Sequence, residues 1–138
     1  MDVGRTRIGL AISDPSQTLA RPLTTLVVGA DTAIDTAVQA VVTLAGEDDG
    51  LERIVVGLPV RLNGEPNDQT RYVERFVAAL KTRTGLPVDV EDERLTSREA
   101  ESRLAVRERD WRKRKAQLDA TAAAIILQDY LDRRQQRA

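Results

Sequence analysis

The chain has 138 residues, 41% hydrophobic and 31% charged, with 21 basic against 22 acidic side chains. It contains no cysteine and no histidine, which excludes disulfides, thiolate or imidazole zinc sites, and every Ser-His-Asp or Cys-His mechanism. Any enzymatic chemistry must come from carboxylates, amines, hydroxyls and metals held on oxygen.

The near-neutral total hides an asymmetry. Residues 1–93 carry 9 basic and 15 acidic side chains, whereas residues 94–138 carry 12 basic and 7 acidic. A sign difference between halves hints at an anionic partner. The length suits one domain over 1–138. No apolar run approaches the roughly 20 residues of a membrane span, and no secretory signal is recognisable, so the expected location is the cytoplasm.

In chain order, Met1–Gly4 reads as a short strand, followed by a tight turn and a second strand. In Ile8–Ser13 of that second strand, Ile8, Leu10 and Ile12 alternate with Gly9, Ala11 and Ser13, the period of a half-buried strand. Asp14–Pro15 ends it. A third strand is expected over Leu23–Val28, after Pro22. Residues 32–45 carry Ile34, Ala37, Val38, Val41 and Leu44 on one helical stripe, with Asp31 as N-cap and Gly46 as stop. Arg53–Leu58 holds the apolar run of a strand buried on both faces. Residues 67–83 form the clearest helix, capped by Asn67 or Asp68. Pro87–Glu93 is a strand with Val88 and Val90 on one face and Asp89, Glu91 and Glu93 on the other. A capping box, Thr96 to Glu99, opens a short helix. A charged segment over 107–115 precedes a last helix over about Leu118–Arg133. A meander of early strands followed by alternating strands and helices gives a mixed sheet with helices on its faces.

Three places could carry chemistry. Asp2 stands before Gly4 in the first hairpin. The following strand rules out a dinucleotide fingerprint, which needs a helix there, and a turn-capping aspartate is an equally ordinary reading. Asp92 and Glu93 close a strand at its carboxyl end, where open α/β sheets place ligands; they point to opposite faces if the strand continues, so at most one joins a given site. A solvated loop before a capped helix is the plain alternative. Asp119 lies in the first turn of the last helix as read, where the helix dipole favours a carboxylate. It also shares a face with Ala122, Ala123 and Ile126, and a charge on a packed face must be paired or bound to a metal.

Taken together, Asp2–Val3–Gly4–x–x–Arg7–Ile8–Gly9–x–Ala11–x–Ser13–Asp14, Val56–Gly57–Leu58–Pro59 with Asn63–Gly64, Asp92–Glu93–Arg94–Leu95–Thr96, and Asp119–x–x–Ala122–Ala123–x–Ile125–Ile126–Leu127 resemble the YqgF/RuvX family. That family is a branch of the RNase H-like nucleases related to the Holliday junction resolvase RuvC. The match runs essentially the full length, with four motifs in the family's order. The resemblance implies an α/β, RNase H-like mixed sheet: an antiparallel three-strand meander followed by parallel strands, with helices on both faces. It implies catalytic and metal-binding carboxylates at Asp2, Glu93 and Asp119, holding Mg²⁺ or Mn²⁺. The implied activity is metal-dependent, structure-specific cleavage of branched DNA or of a precursor of the small-subunit ribosomal RNA. A homodimer is expected if both strands of a junction are cut symmetrically.

Phosphate contacts are expected from Arg5, Arg7, Arg94 and the run Arg112, Lys113, Arg114 and Lys115. Trp111 is a candidate stacking residue beside that run, which could also be a solvated charged loop. Two departures from the family pattern stand out: only Met1 precedes Asp2 where family members usually have several apolar residues, which implies either a true start further upstream or a curtailed first strand, and Thr6 stands where the family often has Lys. Two other readings compete. One is a non-catalytic nucleic-acid or ribosome-associated binding module that keeps the fold. The other is an actin/Hsp70-like nucleotide-binding unit, for which the chain lacks a second half.

Overall fold

The computed structural model describes residues 1–47, 49–61, 63–92 and 111–137, with the backbone alone for 111–117 and 137. The expected elements at Thr96–Glu99 and the candidates Glu93 and Arg94 lie outside the described residues. The elements are β1 (Asp2–Val3), β2 (Arg7–Ser13), β3 (Ala20–Val27), α1 (Ala33–Ala45), β4 (Ile54–Leu58), α2 (Asp68–Thr84), β5 (Val88–Asp92) and α3 (Trp111–Arg137).

β1, β2 and β3 form an antiparallel meander, and β4 and β5 pair in parallel. The two parts are joined through Met1. Its backbone nitrogen donates to the Val55 carbonyl at 2.7 Å, and its carbonyl accepts from Gly57 N at 3.0 Å. One residue bonded to both neighbours of Val56 is the pattern of a parallel ladder, so the strands run β3-β2-β1-β4-β5. This is the RNase H-like order of a mixed sheet.

β3 begins earlier than the sequence suggests and includes Pro22. The missing N–H is tolerated because β3 is an edge strand and because the register slips there: Leu10 faces Thr24 but Ala11 faces Pro22, leaving Leu23 as an extra residue. Helix α1 is capped at Thr32 rather than Asp31, and the Gly29 amide donates to Thr32 Oγ1 at 3.0 Å. Helix α2 carries the expected cap at Asn67, with a reciprocal Asn67–Thr70 capping box.

One face of the sheet packs Val3, Ile8, Leu10, Ile54, Val56 and Val88 against Ala37 and Val41 of α1 and Val73, Phe76, Val77 and Leu80 of α2. α3 covers the other face, burying Ala120, Ala122, Ala123, Ile125, Ile126 and Leu131. Gln128 fastens α3 to the start of β3, accepting from Ala20 N and donating to the Thr18 carbonyl, both at 2.9 Å. α3 is helical from the first described residue, Trp111, seven residues before the expected Leu118. The basic run at 112–115 is therefore backbone-helical rather than a loop, and at least two helical turns precede Asp119, which is not in the first turn. The dipole argument for Asp119 lapses, while the shared face with Ala122, Ala123 and Ile126 holds. Among the described residues no helix is long and apolar enough to cross a membrane.

Candidate active site

Asp2 and Asp119 are brought to one place by a glycine. In the β1–β2 ladder Asp2 stands opposite Gly9, and cross-strand partners share a face. On that face α3 lies directly against the strand: a Cβ built on Gly9 would sit 2.0 Å from the Asp119 carbonyl oxygen and 2.4 Å from its carbon. Only a residue without a side chain permits this approach. Sequence reading took Gly9 merely as the small side of an alternating strand. A glycine inside an otherwise regular strand was the available signal for a close backbone contact.

Arg7, two residues before Gly9, points to the same face. Its Nε donates to Asp119 Oδ2 at 2.6 Å, with side chains 32% and 21% exposed. The expectation that a carboxylate on this packed face needs a partner is met by Arg7. The contact runs through Nε to one carboxylate oxygen.

The alternation of β5 is fixed by its partners. Asp89 Oδ2 accepts from Arg53 Nη1 at 2.8 Å and from the Tyr130 hydroxyl of α3. The Tyr130 hydrogen bond, more than Arg53, holds the Asp89 carboxyl below its usual range. Glu91, 5% exposed, meets Arg133 of α3. Burial pushes the Glu91 carboxyl up, against the pull of Arg133. Asp89 and Glu91 thus face α3, on the side of Asp2, while Val88 joins the opposite core. Asp92 shares the parity of Val88 and points away from the Asp2 face. Sequence reading placed Glu91 on this face but did not foresee its burial under α3.

Among the described residues no three acidic side chains are gathered closely enough to hold a metal ion. Asp2 and Asp119 carry hard oxygen donors of the kind that suits Mg²⁺ or Mn²⁺; the third candidate, Glu93, lies outside the described residues, as does Arg94. The side chains of Trp111, Arg112, Lys113, Arg114 and Lys115 also lie outside them. Arg5 is described and separates from Arg7: it leans over the Tyr72 ring of α2, 4.6 Å from its centroid. An apolar groove of about 620 Å³ between the β2–β3 hairpin and α1 includes Leu10, Leu23, Leu26 and Leu44, and neither candidate carboxylate lines it.

The family model described as RuvX, Holliday junction resolvase, matches residues 1–133. A provisionally named pre-16S rRNA nuclease of Chloroflexus aurantiacus is 44% identical over 134 residues, covering 97% of this chain and 85% of its own length. One of Anaeromyxobacter dehalogenans is 45% identical, covering 97% of this chain and 95% of its own. A third, from a Roseiflexus species, is 40% identical over 132 residues, covering 96% and 91%. The chain belongs to the RuvX family, nucleases of a metal-dependent kind that hydrolyse phosphodiester bonds.

Proposed function

We propose that this chain is a structure-specific endonuclease of a single RNase H-like domain whose Asp2, Glu93 and Asp119 hold Mg²⁺ or Mn²⁺. The observation that carries the reading is the alignment of Asp2, Gly9 and the Asp119 backbone on one face of the sheet. Asp2, Glu93 and Asp119 would hold the metal, which when bound would supply Lewis acidity for activating a water and stabilising the leaving oxygen. The chain's own contribution is positional. Gly9 lets α3 seat Asp119 beside Asp2. Arg7 engages Asp119 Oδ2, fixing the carboxylate and leaving Oδ1 as a donor. Asp92 has the parity of Val88, away from α3, so Glu93, the other acid of that motif, is proposed as the third ligand.

The substrate is nucleic acid, in one of two forms: precursor 16S rRNA, which the relatives' names indicate, or a four-way DNA junction, which the family's description indicates. The first places the protein in ribosome biogenesis. The second places it in DNA recombination and repair, and symmetric cutting then calls for a two-fold homodimer. Either setting is cytoplasmic. Arg5, Arg7, Arg94 and the segment from Trp111 through Lys115 supply the phosphate and stacking contacts.

The test is a cleavage assay in Mg²⁺ and in Mn²⁺ on a four-way junction and on the precursor rRNA, with Asp2→Asn as control. Metal-dependent cutting of one substrate, lost in Asp2→Asn, is the expected result. Tight binding of both substrates with no cutting in either metal favours instead a non-catalytic binding module on the same fold.

A further inference from the structure

The hairpin between β1 and β2 carries two arginines that go to opposite sides. Arg7 turns to α3 and Asp119. Arg5, exposed at the tip, turns to α2, where its guanidinium lies 4.6 Å from the Tyr72 ring centroid. The tip is a closed turn, Gly4 N donating to the Arg7 carbonyl at 2.8 Å. A second tie from α2, one turn before Tyr72, holds the same strand: Gln69 Nε2 donates to the Val3 carbonyl at 3.2 Å. Tyr72 is itself half-buried against the core formed by α1, α2 and the sheet.

The chemistry of the contact matters. A carboxylate partner occupies a guanidinium's N–H donors with hydrogen bonds, whereas an aromatic ring beneath the cation attracts it through the ring quadrupole and is no hydrogen-bond acceptor of comparable strength. A guanidinium held over a ring is positioned while donors remain for another acceptor. Three residues of extended chain span at most about 11 Å, so Arg5 stands within a few nucleotide steps of Asp2, given a rise of about 3.4 Å per step.

We propose that Tyr72 is a positioning residue for substrate: its ring presents Arg5 to a phosphate flanking the cleaved bond, on the α2 side of the hairpin. Nucleic acid therefore crosses the hairpin tip, touching Arg7 on one side and Arg5 on the other. The inference rests on the nuclease reading above, and its test separates the two.

Binding of a substrate duplex or single strand is measured against salt in an Asp2→Asn background, and kcat and KM are measured with Asp2 intact. Arg5→Gln lowers the slope of log affinity against log salt by about 0.7–0.9, the share of one phosphate contact. Tyr72→Leu, which keeps apolar bulk but removes the ring face, moves the slope in the same direction and raises KM about two- to fivefold, the range of an exposed cation–π contact. It leaves kcat within about twofold. Tyr72→Phe, which keeps the ring, behaves as wild type, and Arg5→Gln/Tyr72→Leu is no worse than Arg5→Gln alone. A thermal melt identifies any loss of packing, which would add in the double variant rather than vanish. The proposal is overturned if Arg5→Gln leaves slope and KM unchanged, if Tyr72→Leu does so while Arg5→Gln shifts both, or if Tyr72→Phe loses as much as Tyr72→Leu. None of these outcomes touches the carboxylate assignment, which Asp2→Asn cleavage decides by itself.

Discussion

Gly9 and Asp119 meet backbone to backbone, with no room for a Cβ on Gly9 within 2.0 Å of the Asp119 carbonyl oxygen. Gly9→Ala must push α3 off the sheet, because the obstructing atoms belong to the main chain and cannot rotate away. The expected loss is about 3 kcal/mol, the upper end of overpacking, read from the urea midpoint. Cleavage should fall further than stability alone explains, since Asp119 moves relative to Asp2. A fully stable, fully active variant contradicts this packing.

Arg7 holds Asp119 through a contact that both side chains share with solvent, 32% and 21% exposed. Its weight in stability is therefore small, about 1 kcal/mol or less. Under the proposed metal-binding role of Asp119 its weight in function is larger, because partners of metal-ligating carboxylates set ligand orientation, at about 10–100-fold in activity or metal affinity. Arg7→Ala is expected to melt near the wild-type temperature and to cut about 10–100-fold more slowly. A variant that loses stability and keeps its rate assigns Arg7 to the fold instead.

The run 112–115 lies on helical backbone, so its four cations are carried on a regular element. Replacing Arg112, Lys113, Arg114 and Lys115 with Ala should lower the salt slope of nucleic-acid binding by up to about 3–4, near 0.9 per duplex phosphate. Equilibrium binding over a salt series reads this directly. An unchanged slope makes the run a solvated surface.

Asp14 organises the β2–β3 turn. Oδ1 accepts from Thr18 N at 2.8 Å and Leu19 N at 3.0 Å, and Oδ2 from Ser16 Oγ at 2.6 Å. Above all the Ser16 hydrogen bond, then those of Leu19 and Thr18, lower its pKa from 3.8 to about 2. A folded-state value below the unfolded one means the carboxylate's contribution is present above about pH 4 and is lost as pH falls through about 2. Carboxyl ¹³C titration should give a midpoint near 2, with the Thr18 and Leu19 amides following. A midpoint at the ordinary aspartate value contradicts the turn.

Much of this fold was legible because burial writes itself as period. Ile8 and Leu10, the Tyr72–Phe76–Leu80 stripe and Ile54–Val56 all fell where the pattern put them. What escaped depended on partners distant in sequence. Pro22 looked like a strand boundary until β3 proved to be an edge with a bulge. Trp111–Gln117 carries four charges in a row, and charge hides helical period, so α3 starts before its apolar stripe does. At the site, the motifs picked out Asp2 and Asp119, but only the fold relates them through Gly9. Neither the burial of Glu91 under Arg133 nor the ring beneath Arg5 has a local signature, because each pairs residues more than 40 positions apart.

The central claim is that Asp2 and Asp119 hold the metal on which hydrolysis depends. Its most direct measurement is calorimetric Mn²⁺ binding to wild type, Asp2→Asn and Asp119→Asn, run beside cleavage by the same preparations. The expected result is loss of Mn²⁺ binding and of cleavage in both variants at an unchanged melting temperature. Wild-type Mn²⁺ binding and cleavage in either variant contradicts the claim.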